Sequence, residues 1–353
     1  MANLAILLAF GGVAYWALLV VMTARTLSRP PRYTAGAAIA RGRPSDPGEL
    51  DEPRAFTSWT LRSRGMELPV WDIPGDDPRG PVVVMTHGWS DSRLGALPRL
   101  QGVLACASRI IAWDMPGHGD APGSCDLGAT EWIDLCALLD RIADTEPPNE
   151  PKPAQTESSA PHDVVLFGWS LGAGVSLRAA VEWNNLRASI SPGENPPRVA
   201  GVICEAPYRV PHTPASRVLR LRRMPWRVNL KPALWLVHAR TDGLRRIASQ
   251  PPQSPARGLP PAHGFHDFDR AAWAERFAHA GGRVLVIHGT NDPVCPPGDG
   301  REITRAAGER GTMVEIEGAS HNDLWTDERF APRCRDALVG FVRGLARDAY
   351  DSP

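Results

Sequence analysis

Short apolar runs alternate with segments of helical period along most of this chain. Pro81–Thr86 (PVVVMT), Arg109–Trp113 (RIIAW), Val164–Phe167 (VVLF), Val199–Cys204 (VAGVIC), Arg283–Ile287 (RVLVI) and Thr312–Ile316 read as strands. Most are nearly continuous in apolar residues, as strands covered on both faces are. Ala55–Ser63 and Leu68–Ile73 predict an antiparallel pair ahead of them. Helical patterns fill the intervals. Glu131–Ala143 sets Ile133, Leu135, Cys136, Leu138, Leu139 and Ile142 at helical spacing. Leu171–Trp183 follows a strand almost at once, and Arg333–Ala346 closes the chain with Cys334, Leu338, Phe341, Val342 and Leu345 on one face. The alternation predicts an α/β fold with a mostly parallel central sheet flanked by helices.

Three stretches break the pattern. Leu4–Met22 is a run of 19 residues without a charge. At about 1.5 Å per residue, a helix of that length nearly spans the ~30 Å hydrocarbon core of a bilayer. The chain opens Met1-Ala2-Asn3, without the positive side chains that usually start a cleaved signal peptide. Residues 1–24 are therefore expected to be a transmembrane anchor. Arg25, Arg29, Arg32, Arg41 and Arg43 follow before the first acid, Asp46, which predicts a cytoplasmic location for the folded part. Residues 25–54 carry five prolines and read as a tether; residues 55–353 form the folded domain. Within it, 144–162 is polar and proline-rich, a loop insertion, and 207–268 is too long for a plain connection and is expected to be a lid.

Composition narrows the classes. With 39 basic and 39 acidic residues among 353, the chain lacks the bulk charge of a nucleic-acid binder. Its 43% hydrophobic content excludes global disorder. The six cysteines (106, 125, 136, 204, 295 and 334) have neither disulfide-scaffold nor zinc spacing and read as reduced thiols.

The chemistry gathers at loops that follow strands. Gly168-Trp169-Ser170-Leu171-Gly172 matches G-x-S-x-G between a strand and a helix, the context in which such a serine is thrust out on a sharp turn. A serine hydroxyl needs a general base at neutral pH. His321, in Gly318-Ala319-Ser320-His321, follows the last strand. Asp292, in Asn291-Asp292-Pro293, follows the strand before it. Glu205, at the end of the strand preceding the lid, is the rival acid, and Asp323 lies close to the base in sequence. Gly174 is expected to keep the first helical turn small against a neighbouring strand.

The order Ser170, Asp292, His321 resembles the serine hydrolases of the α/β-hydrolase superfamily. His87-Gly88-Trp89 after PVVVMT is similar to the family's oxyanion loop. Asp114-Met115-Pro116-Gly117-His118-Gly119 is similar to its D-x-P-G-H-G loop. The resemblance covers roughly residues 56–346. It implies Ser170 as nucleophile, Asp292 and His321 as its relay, and the Trp89 and Leu171 N–H groups as the oxyanion hole. It also implies a structural role for His118 and no cofactor or metal. An apolar anchor before such a domain is similar to membrane-tethered members.

The expected activity is cleavage of a carboxylic ester or thioester through an acyl-enzyme. The same triad also serves amidases and peptidases, and the fold also hosts non-catalytic scaffolds. The expected partner is a small acyl substrate, lipidic in the sharper reading. From Ala206 to Thr241 there is no acid, while Arg209, Arg217, Arg220, Arg222, Arg223, Arg227, Lys231 and Arg240 are interleaved with apolar residues. This is either a solvated basic face, an apolar and basic lid on an anionic leaflet, or a cluster for an anionic headgroup. The sequence leaves the acyl chain and the oligomeric state open.

Overall fold

A computed structural model describes residues 2–143, 163–189, 196–247 and 268–350. The insertion at 144–162 lies outside the described residues, as does 248–267 of the lid. Eight strands form one sheet: β1 (Thr57–Ser63), β2 (Met66–Pro74), β3 (Val82–Thr86), β4 (Arg109–Trp113), β5 (Val164–Trp169), β6 (Val199–Glu205), β7 (Arg283–Gly289) and β8 (Gly311–Ile316). Their spatial order is β1-β2-β4-β3-β5-β6-β7-β8. β1 pairs antiparallel with β2, and β2 with β4; every later pairing is parallel. The strands stand where the apolar runs predict, and β5 continues two residues further, through Gly168 and Trp169.

The helices are α1 (Ala2–Ser28), α2 (Ala35–Ile39), α3 (Leu100–Val103), α4 (Glu131–Ala143), α5 (Leu171–Ala188), α6 (His212–Leu221), α7 (Leu230–Ile247), α8 (Arg270–His279), α9 (Pro297–Ala306) and α10 (Ala331–Tyr350). Side chains alternate across each strand and so feed two cores. Val82 and Val84 of β3 join the layer of α4, α5, α8 and α9. Val83 and Met85 join the layer of α3 and α10. At roughly 1.5–3 kcal/mol for each large apolar side chain fully buried, these two layers hold the sheet rigid.

The α9 pattern is hidden in sequence because the helix buries only Gly300 and Ile303. α8 is masked for another reason: Arg270, at its first position, is wholly buried among apolar residues. The expected lid holds α6 and α7. Between them, Arg222 to Asn229 form turns.

Among the described residues, α1 is the one helix long and apolar enough to cross a membrane. Nearly all its side chains from Leu4 to Met22 are exposed, whereas Thr23, Leu27 and Ser28 are buried against the domain. α1 packs against α7.

Candidate active site

Ser170 stands between β5 and α5 with φ +53° and ψ −111°. A non-glycine residue held there carries backbone strain of about 1–3 kcal/mol. The surroundings enforce it. The Ser170 N–H donates to Glu205 O at 2.8 Å, tying the turn to the end of β6. A Cβ at Gly168 would lie 2.2 Å from Gly172 O, and one at Gly172 would lie 2.0 Å from Thr86 O. Only glycine allows these backbones to approach so closely. Gly174, expected to face a strand, instead faces Arg270: a Cβ there would lie 1.8 Å from Arg270 Nε.

Arg270 is a feature the sequence reading missed. Its guanidinium carbon sits 3.7 Å from the Tyr208 ring centroid and its nitrogens meet no hydrogen-bond acceptor among the described residues. Burial accordingly pulls its pKa down. The ring face supplies part of the compensation that a carboxylate would otherwise give.

Asp292 and His321 are brought together across 29 positions of sequence. His321 Nδ1–H donates to Asp292 Oδ2 at 2.6 Å. The carboxylate partner fixes the tautomer, leaving Nε2 as the proton acceptor. The other carboxylate oxygen accepts from the N–H groups of Val294 (2.7 Å) and Cys295 (2.8 Å). His288 Nε2 lies 3.4 Å from Oδ2 and hydrogen-bonds Cys295 O at 3.1 Å. Burial works to raise the Asp292 pKa, but the hydrogen bonds from His288, His321 and the Cys295 N–H outweigh it and hold the group well below the usual carboxylate range.

Glu205, the rival acid, is engaged elsewhere. It accepts from Arg99 Nε at 2.8 Å and from Trp325 Nε1 at 2.7 Å, and pairs with the second arm of Arg99. Asp323 Oδ1 accepts from the Ser320 N–H at 2.7 Å and so braces the loop that carries His321.

Ser170, His321, Trp89 and Leu171 line one cavity of about 270 Å³. Gly88 lets the Trp89 loop lie against the elbow: a Cβ there would meet Ser170 Cβ at 3.4 Å. Leu171 opens α5, so its N–H belongs to the first turn, which has no acceptor within the helix. The roof comes from Pro214, Ala215 and Val218 of α6, and one wall is Leu27 of α1. Arg222 also lines the cavity, with its guanidinium 5.2 Å from the Trp89 ring.

The segment after α1, expected as a tether, reaches this site. Trp89 Nε1 donates to Leu27 O at 2.8 Å, Ser90 Oγ to Pro31 O at 2.9 Å, and the Cys125 N–H to Ser28 O at 2.9 Å. Arg32 Nη1 donates to Gly119 O and Ala121 O. Both loops flanking the cavity are thus bonded to residues 27–32.

His87 and His118 are buried and stack edge to face, with centroids 4.8 Å apart. His87 Nε2 accepts from the Met115 N–H at 2.9 Å while Nδ1 bonds Gly88 O at 2.8 Å. Burial lowers the His87 pKa to about 4 and that of His118 well below its usual value. Two neutral rings therefore staple the two loops together.

All six cysteines are free and buried. Cys295 was not singled out in sequence, yet its Sγ lies 4.0 Å from Ser170 Oγ. The signal was present: an Asp-Pro turn places the residue three positions on against its own carboxylate. Burial, with Asp292 nearby, raises the Cys295 pKa well above the usual thiol value, so it stands beside the serine as a neutral thiol. Donor atoms of Asp292, Cys295 and His321 lie within 4.8 Å of one another and are the group here able to hold a metal ion. The direct His321–Asp292 bond uses two of these donors on each other.

Comparison with known proteins agrees with this architecture. The profile described as the alpha/beta hydrolase family matches residues 83–333. A pimeloyl-[acyl-carrier protein] methyl ester esterase of Neisseria meningitidis serogroup B is 26% identical over 269 residues, covering 74% of this chain and 94% of the relative. Among solved structures, a Pyrococcus furiosus esterase superposes with a TM-score of 0.58 at 16% identity, covering 90% of this chain and 98% of its own. Est1E from Butyrivibrio proteoclasticus gives 0.51 at 12% identity, covering 82% and 99%. With the family profile spanning most of the sheet and every loop of the site, the chain belongs to the alpha/beta hydrolase family.

Proposed function

We propose that this protein is a membrane-anchored serine hydrolase that cleaves carboxylic esters or thioesters through an acyl-enzyme on Ser170. The observation that carries the reading is the 2.6 Å bond from His321 to Asp292 in a cavity whose floor is a strained serine. Ser170 Oγ attacks the acyl carbonyl as His321 Nε2 takes its proton. Asp292 holds the tautomer and stabilises the imidazolium. The N–H groups of Trp89 and Leu171 receive the oxyanion; in comparable sites one such donor is worth about 2.7–4 kcal/mol. His321 then passes the proton to the leaving alkoxide or thiolate. Water, deprotonated by the same imidazole, releases the acid.

The ester class is supported by the methyl ester esterase relative. The length and exposure of α1 support a single-pass anchor, and the arginines after it support a cytoplasmic domain. The acid-free stretch from Ala206 to Thr241 supports a lipidic or acylated substrate met at an anionic leaflet. The test is labelling of the full chain by a fluorophosphonate, followed by hydrolysis of p-nitrophenyl esters of rising chain length. Labelling is expected to vanish in Ser170→Ala and to fall sharply in His321→Ala. Labelling that persists in Ser170→Ala would remove the nucleophile.

A further inference from the structure

The turn between α6 and α7 lies beside the apolar helix at a definite height. Trp16 Nε1 donates to Val228 O at 3.4 Å. Trp16 is six residues before Met22, where the run free of charged and strongly polar side chains ends. At 1.5 Å per residue, Val228 therefore sits about 9 Å inside the end of that run, the depth at which interfacial helices embed. The flanking surface suits the position. Leu221, Val228 and Trp235 are each exposed to 63–64%, an unusual cost in water for three large apolar side chains on one lid. Arg220, Arg223 and Arg227 alternate with them, long enough to reach back to phosphates while their stems stay in the apolar layer.

We propose that the lid tip, residues 221–235, is embedded in the headgroup–acyl boundary of an anionic leaflet alongside α1. The substrate is then a leaflet-resident acyl ester that passes sideways into the cavity between Leu27 of α1 and Val218 of α6. The occupant of this surface is lipid, because the surface is continuous with the helix that itself spans lipid and is rimmed by cations. Both cavity walls lead from the tip: α6 roofs the cavity at Val218 and ends at Leu221, while α1 contributes Leu27 five residues beyond Met22. This inference rests on the anchor and serine-hydrolase readings above and adds to them a depth and a route.

The full chain is reconstituted in phosphatidylcholine–phosphatidylglycerol vesicles. Because every native cysteine is buried, Leu221→Cys, Val228→Cys and Trp235→Cys each supply one accessible thiol for an environment-sensitive fluorophore. Arg79→Cys, exposed ahead of the N-terminal end of β3 and so at the opposite end of the strands from the site, is the control. Lipids carrying a nitroxide high on the acyl chain are expected to quench the three lid probes and spare the control. The double variant Leu221→Asp, Val228→Asp is expected to keep its rate on a soluble short-chain ester and to lose about ten-fold on a long-chain ester dissolved in the bilayer.

Three unquenched lid probes on protein that resists a carbonate wash overturn the inference and leave the anchor standing. Equal rates of wild type and double variant on the bilayer ester also overturn it, as does an equal loss on both esters. Release of the full chain by the wash overturns the anchor and the inference together. Soluble esterase activity surviving in Ser170→Ala identifies a failure of the nucleophile assignment instead.

Discussion

The indole N–H of Trp89 is bonded to the carbonyl of Leu27, 2.8 Å away, in the last turn of α1. Trp89, the proposed oxyanion donor, is thus held through its side chain by the apolar helix. Replacing Trp89 with Phe keeps a ring in the wall and deletes the donor. Because a net hydrogen bond contributes about 1 kcal/mol and its loss loosens an oxyanion donor, kcat should fall roughly 5–50-fold. KM should change far less. Steady-state kinetics on the full chain, with Arg32→Ala as a second strap variant, checks this; a rise in KM at constant kcat would mean that Trp89 acts as a wall alone.

The two acids near the site separate by what each variant damages. Asp292→Asn should lower kcat by about 10⁴-fold, since the amide favours the wrong imidazole tautomer. Glu205→Gln should leave the chemistry largely intact and destabilise the fold by about 3–5 kcal/mol, because it strips the buried Arg99 of its charge partner. Activity per folded molecule, set against a denaturant titration, distinguishes these outcomes. A Glu205→Gln enzyme that is folded and inactive would reverse the assignment.

The elbow glycines act through backbone contact. Gly172→Ala would set a methyl 2.0 Å from Thr86 O and 2.6 Å from His87 O, neither of which is a side chain that can swing aside. Overpacking of this kind costs about 1–3 kcal/mol. The melting temperature should fall and kcat should fall with it, because the displaced atoms carry the oxyanion loop. Gly298→Ala, which meets nothing within 4 Å, is the matched control and should be near neutral.

The His87 staple sets a pH window. Its pKa is near 4 in the folded protein and 6.5 in the unfolded chain, because burial disfavours the imidazolium. Between those values the unfolded state binds more protons, so stability rises with pH. The contribution is complete above about 6.5 and is lost as pH falls toward 4, up to about 3 kcal/mol from this ring alone. His118 adds a loss of the same sign. Thermal melts from pH 8 down to 4.5 should decline most steeply below 6.5. A His87→Gln variant should show a shallower slope, and an identical slope would mean that other groups control the window.

Much of the frame was legible because period and apolarity are local. β4 and α4 begin and end where the residue pattern says, and the elbow could be found because a strand, three small positions and a helix follow one another without a gap. Where the local pattern carries little apolar signal, legibility stops. α9 buries two residues and α8 opens on a buried arginine, so neither has a readable face. The expected relay residues Asp292 and His321 were locatable by their positions after strands, whereas Leu27, Tyr208 and Arg270 were not, since nothing in their neighbours points to a cavity.

By itself the chain dictates which segments are strands, which serine must turn sharply out of the sheet, and which helix is long and apolar enough to cross a membrane. Those properties follow from side-chain volume, backbone freedom and transfer free energy, each acting over a few residues. Only the folded arrangement decides that Glu205 pairs with Arg99 while Asp292 meets His321, that Arg270 lies under Tyr208, and that the apolar helix ends inside the site. Pairings between distant residues are chosen by the joint packing of two cores around one sheet, a competition that no short stretch of sequence contains.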